Sequence, residues 1–277
     1  MFAYSFMQRA LIAIILLGII LPIIGLNMTT KRLSMIGDTL SHTSLCGIAL
    51  GLAAGTMPTV WAIGVSIVAG IIIEIVRNHF KKYSELTLSI VMSTAVGVAG
   101  ILTSKWASGN KIESYLFGSL ITVQWDSIWI IIGVSIITIL FNLIFYRTIM
   151  YTSYSESEAR ISGVPVKAMN LINTILVACV VAVASSIIGS LLVSSLLVIP
   201  VASSLQLCKS YKFTMLSSII ISLICCVSGL CISYPLSINT GGTIVLMATA
   251  ILILSIIYKF ILKNLFKSRA LERSKSA

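Results

Sequence analysis

Apolar runs close to 20 residues long recur from one end of this 277-residue chain to the other. A hydrocarbon core about 30 Å thick takes roughly 20 helical residues to cross. Lipid offers no partner to backbone N–H and C=O groups, so runs of this kind must be helices whose hydrogen bonds close within the segment. Nine spans are expected, over residues 10–27, 33–55, 57–77, 86–106, 127–150, 168–187, 189–208, 213–233 and 243–262. The apolar sequence hardly pauses at Ile187–Gly189, so eight crossings plus a broken helix remain open. The first run follows Arg9 and lacks a small-x-small cleavage site, which favours a span over a signal peptide. Charged residues make up 10% of the chain, against about 25% in a soluble domain. The expected fold class is therefore all-α, a polytopic membrane protein of about nine (eight to nine) transmembrane helices, with residues 1–277 forming one transmembrane domain.

The net charge of +11 would suggest nucleic acid as a partner for a soluble protein. Its distribution points to lipid instead, because short basic loops stay on the cytoplasmic side. One set of alternate loops, with the C-terminal tail, holds Lys31, Arg32, Arg77, Lys81, Lys82, Arg147, Arg160, Lys167, Lys209, Lys212, Lys259, Lys263, Lys267, Arg269, Arg273 and Lys275. The opposite set holds Arg9, Lys105 and Lys111. Nine spans with the N-terminus outside and the C-terminus in the cytoplasm satisfy that bias, and residues 263–277 form a basic cytoplasmic tail. Six cysteines lie within or beside apolar runs with no CxxC spacing, so they read as small core residues.

Three polar connections are long enough for structure of their own. Residues 77–85 form a short basic inner loop, and 105–126 form an outer segment that contains the apolar stretch 115–123. The third, 151–167, is cytoplasmic and predicts a short helix over 155–162, stopped by Gly163 and Pro165. Such a helix suits docking of a soluble partner, although an ordinary connecting loop accounts for it equally well.

Ionisable side chains inside a bilayer are costly, which makes each a functional candidate. Asp38 and His42 stand four residues apart in the second span, on one helix face, with Ser34 and Ser41 nearby. A carboxylate and an imidazole facing one way make half a site for zinc, manganese or iron. The bland alternative is a hydrogen bond between the two along the helix. Gly47, Gly51 and Gly55 repeat every four residues on the opposite side, a spacing that lets a neighbouring helix approach closely. Glu74, in the third span, is as far from the intervening turn as Asp38 is, which puts it at similar depth as a third ligand; a salt bridge to Arg77 is its alternative. Cys46 follows His42 by one turn as a less favoured soft ligand, and His79 in the basic loop reads as solvated. Signatures of catalysis are missing: the sequence has no GxxxxGK[ST], HExxH or GxSxG.

The run GDTLSHTSLCGIAL over residues 37–50 resembles the signature of the zinc/manganese/iron permease family of ABC importers. Further similarities follow in order: YLFGS at 115–119, EAR at 158–160 with GVPV at 163–166, and GSLLV at 189–193 leading to Pro200. The resemblance covers about residues 5–262 and looks nearest to zinc-uptake permeases of Gram-positive bacteria. It implies a multi-pass permease in a bacterial cell membrane that imports zinc, or alternatively manganese or iron. It further implies a second permease copy, two cytoplasmic ATPase subunits and an extracellular metal-binding lipoprotein. On that likeness Asp38 and His42 contact metal, and Glu74 does so less securely. Coupling to the ATPase falls to Glu156, Glu158, Ala159, Arg160, Gly163 and Val164. No permanently bound cofactor, no nucleic acid and no enzymatic activity of the chain itself are expected. An ion-coupled secondary transporter is the rival of another class, but the two repeated halves common in such carriers are not evident.

Overall fold

The computed structural model describes residues 5–80, 84–106, 115–116, 118, 125–208, 210–236 and 238–275, with side chains left undescribed at 105–106 and 262–275. The described residues are helical almost throughout and include no strand. In chain order the helices are α1 (Ser5–Thr30), α2 (Ile36–Ala53), α3 (Pro58–His79), α4 (Ser84–Trp106), α5 (Trp125–Ile144), α6 (Tyr146–Tyr154), α7 (Glu156–Ile161), α8 (Val166–Ile188), α9 (Ser190–Leu207), α10 (Tyr211–Leu236) and α11 (Thr240–Lys275).

Eight of these helices are long and apolar enough to cross a membrane. The ninth long helix, α2, has 18 residues and carries Asp38, Thr39, Ser41, His42, Thr43 and Ser44. Protein surrounds most of it, and that is the condition under which so polar a segment is tolerated at membrane depth. The expected fifth span over 127–150 is interrupted at Phe145, between α5 and α6.

Central and peripheral helices differ by which faces they bury. Helices α1 and α8 form the middle of the bundle, and Ile14, Leu17, Ile20, Leu21, Val177, Val180 and Val181 anchor its main apolar core. Helices α4, α5 and α11 turn large apolar side chains outward, among them Ile90, Ile101, Trp129, Leu143, Leu246 and Leu254. Such residues suit an acyl-chain environment, where exposure of apolar surface carries no penalty.

The slight pause at Ile187–Gly189 is a true reversal. Gly189, at φ 93°, is the single residue between α8 and α9, and only glycine adopts that left-handed conformation without strain. Asn170 near the start of α8 binds Lys31. Tyr211, just past the end of α9, packs with Leu26 and Val201. Both ends of the pair therefore meet the same end of α1, as two antiparallel spans require.

Candidate functional site

Four neighbours fix α2 in rotation. Gly47 lets α3 approach so closely that an added Cβ would sit 2.6 Å from the Trp61 carbonyl oxygen and 2.7 Å from Ala62 Cα, and Gly51 meets Pro58 in the same way. The Thr39 hydroxyl donates to the Leu88 carbonyl of α4 at 3.4 Å. Ser44 pairs with Ser185 and Ala182 of α8, and Gly37 rests on Ser194 and Leu197 of α9. The expected glycine stripe thus packs through two of its members. Gly55 instead is the turn residue, at φ 67° with open space around its Cα.

Asp38 and His42 occupy the face that these contacts leave over. Both are half-buried, and Met35 beside them is 49% exposed. Among the described residues no hydrogen bond joins the two side chains, and the buried His42 Nδ1 has no partner. A buried polar atom left unpaired costs roughly 1–3 kcal/mol, and α2 itself supplies no partner that would offset this cost. Farther along the same face Leu45 and Ala49 are buried. Cys46 points away, into contact with Ala95 and Ala99 of α4.

Glu74 is not brought to this face. It is buried and engaged elsewhere, with Arg77 at 2.8 Å, Asn78 at 3.3 Å and the Thr174 hydroxyl at 3.4 Å. The pairing of Gly47 with Ala62 and Gly51 with Pro58 sets Glu74 level with Met35, about one turn from Asp38. Depth is therefore nearly as expected, and orientation is not: Gly70, one turn earlier on α3, faces Thr174 and Ala178 of α8. Among the described residues no group of three or more His, Cys, Asp or Glu side chains could hold a metal ion. The salt bridge to Arg77 is present in this structure. His79 Nδ1 lies 3.1 Å from the Ile75 carbonyl on an exposed surface.

The short helix expected over 155–162 appears as α7. The Ser155 side chain caps it by accepting from the Glu158 backbone N–H at 3.3 Å, a common helix-start device. Gly163 at φ 81° ends it, with the Val164 N–H bonded back to the Ala159 carbonyl at 3.1 Å. Ala159 is fully buried and seats the helix, while Glu158, Arg160 and Ile161 are exposed. Glu156 is 39% exposed and faces the bundle. The YLFGS motif falls partly outside the described residues, as do most of the outer segment and Lys81 and Lys82.

A polar cluster that the sequence reading did not single out lies at this end of the bundle. Lys31 Nζ donates to Asn170 Oδ1 at 2.6 Å, and Asn170 Nδ2 donates to Glu156 Oε1 at 2.8 Å. Arg77 lies 3.9 Å from the same Glu156 oxygen and 2.8 Å from Glu74. The legible signal was asparagine within apolar runs, since Asn27, Asn170 and Asn173 are all buried. Burial pulls the Lys31 amine down to about 8 from 10.5; Glu156 and Glu74 oppose the fall and Arg77 adds to it. Between those two pH values the unfolded chain binds more protons than the folded one, so stability contributed by this group rises with pH. Thermal unfolding of purified protein from pH 8 to 10 should show wild type gaining stability relative to Lys31→Met, and parallel curves would refute the shift.

Comparison with known proteins places the chain in a family. The model of the ABC 3 transport family matches residues 3–259. The chain is 32% identical to the "Probable metal transport system membrane protein" of Treponema pallidum, over 92% of this chain and 96% of the relative. It is 30% identical to the "Manganese import system permease protein ScaB" of Streptococcus gordonii, with 91% of each covered. The "High-affinity zinc uptake system membrane protein ZnuB" of Haemophilus influenzae is 26% identical over 91% of this chain and 97% of the relative. The solved structure "PsaBC from Streptococcus pneumoniae in complex with Fab" superposes with a TM-score of 0.81 at 28% identity, covering 91% of both chains. With eight apolar crossing helices and a family match over nearly its full length, this chain is a multi-pass membrane protein that belongs to the ABC 3 transport family.

Proposed function

We propose that the chain is the membrane-spanning permease of an ABC importer for a divalent transition metal, a single transmembrane domain with its N-terminus outside and its basic tail in the cytoplasm. The observation that carries the reading is the Asp38/His42 pair, unpaired with each other and half-buried on one face of a largely enclosed helix. One carboxylate and one imidazole are too few to hold such an ion. A second copy presenting the same face would bring the set to two oxygen and two nitrogen donors, which suits four-coordinate zinc. ATP hydrolysis belongs to separate cytoplasmic subunits docking at α7, and an extracellular binding protein delivers the ion. Cargo is held only in transit, and no resident cofactor takes part.

Zinc is the first reading of the cargo. Manganese is the second, favoured by the name of the streptococcal relative at 30% identity; a harder ion of that kind would recruit water to complete a larger coordination shell. Uptake of radiolabelled zinc into cells expressing the transporter, challenged with excess manganese or iron, separates the two. The zinc reading expects unlabelled zinc to suppress uptake at the lowest concentration. Suppression by manganese at equal or lower concentration would replace zinc with manganese.

A further inference from the structure

Helix α7 carries the residues expected to meet an ATPase, while the candidate metal ligands lie on α2, with which α7 shares no bond among the described residues. A polar chain nevertheless runs from α7 to the turn that precedes α2. Glu156 leads through Asn170 to Lys31, with contacts of 2.8 and 2.6 Å. Lys31 lies in the turn between α1 and α2, seven positions before Asp38. The same Glu156 oxygen lies 3.9 Å from Arg77, and Arg77 holds Glu74 of α3, which is itself bonded to Thr174 of α8. The helix that packs closest on α2 is thereby tied to the same carboxylate.

The turn so gripped is itself strained. Arg32, immediately after Lys31, has φ 58°, the one positive value among the described non-glycine residues. A non-glycine side chain there costs roughly 1–2 kcal/mol, and such conformations persist only where surrounding contacts hold them. Backbone bonds from Arg32 N–H to the Thr29 carbonyl and from Leu33 N–H to the Met28 carbonyl close the turn. The Lys31 side chain adds the only described side-chain tie from this turn to α8. A small cavity of about 180 Å³, lined by Lys31, Leu33, Arg77, Asn78, Ser84 and Glu156, leaves the cluster room to rearrange.

We propose that Glu156 is a positioning residue for transport, linking displacement of α7 to the α1–α2 turn through Asn170 and Lys31, and thereby setting the orientation of Asp38 and His42. This rests on the reading of α7 as the ATPase contact. Lys31 stands just past the end of α1 and shortly before α2 begins, so a rigid-body shift of α7 pulls on the start of α2 and not on its middle. Rupture of the link leaves α7 free to move without α2.

The test uses the permease assembled with its ATPase subunits in proteoliposomes, measuring zinc uptake and ATP hydrolysis in the same sample. Glu156→Ala and Asn170→Ala should each lower the zinc transported per ATP at least tenfold, and the double variant should fall no further than either single one. Glu156→Gln keeps an acceptor for Asn170 and should recover most of the ratio. With the six native cysteines replaced by serine, spin labels at Met35→Cys and Ile161→Cys should report a distance that changes with nucleotide when Glu156 is present and stops changing in Glu156→Ala. An unaltered zinc-to-ATP ratio in Glu156→Ala, or an unaltered nucleotide response of the label distance, overturns the proposal. The docking reading is judged separately: Ile161→Glu, on the exposed surface of α7, should prevent copurification of the ATPase, and full copurification would sink that reading whatever Glu156 does.

Discussion

Alanine at Asp38 or at His42 should nearly abolish metal uptake while leaving the protein in the membrane at wild-type abundance. Groups that merely orient a metal ligand are worth about 10–100-fold, and loss of a direct ligand should exceed that range. The protein should still fold, because neither side chain holds the bundle together. Asp38 is half-buried and makes no side-chain hydrogen bond among the described residues, and His42 Nδ1 is unpaired. What anchors α2 is Gly47, Gly51, Thr39, Ser44 and Gly37, all on other faces. Uptake of radiolabelled zinc at matched membrane abundance provides the check, and wild-type rates in either variant would remove the pair from the pathway. Uptake should also weaken on acidification, since carboxylate and imidazole bind metal only when deprotonated.

Replacing Gly47 by leucine should strongly destabilise the packing of α2 on α3. A Cβ there already meets backbone atoms of Trp61 and Ala62 at 2.6–2.9 Å, and a helix backbone cannot yield as the tip of a flexible side chain can. Overpacking of a well-fitted contact costs typically 1–3 kcal/mol, and a rigid backbone neighbour puts leucine at or beyond the upper end. The expected result is a sharp loss of thermal stability in detergent and of membrane abundance. Gly47→Ala should show the same direction with a smaller change. Gly64→Ala, Gly97→Ala and Gly133→Ala are the controls: no atom lies within 4 Å of an added Cβ at any of them, so each should leave stability unchanged or slightly raised. Equal stability of Gly47→Leu and Gly64→Ala would mean that α2 and α3 do not approach as described.

Much of the site was legible because membrane sequences are sparing with charge. Asp38 and His42 stand out in a helix whose other polar residues are hydroxyls, and the helical period alone puts them on one face. The period also sets Gly47 and Gly51 on the far side, where α3 packs. Glu74 shows where such reasoning stops. Distance from the hairpin turn gave its depth to about one helical turn. Its direction depended on the rotation of α3, which Gly70 sets by seating against Thr174 and Ala178, residues a hundred positions away. The Glu156 cluster was hidden for a similar reason, because its members come from the α1–α2 turn, α3, α7 and α8.

Length, apolar recurrence and the placement of basic residues were enough to determine that this chain is an all-α membrane protein, since lipid leaves a backbone almost no other choice. A long apolar helix does not announce its neighbours, because lipid and protein interior are nearly equivalent solvents for leucine and isoleucine. Which helices lie at the centre, which face of α2 stays open and which distant groups gather at Glu156 were decided by tertiary packing alone. Contacts between backbones at small residues and hydrogen bonds between distant segments fix those choices; a glycine stripe marks a close approach without naming the helix that makes it, and the hydrogen bonds leave no local pattern at all.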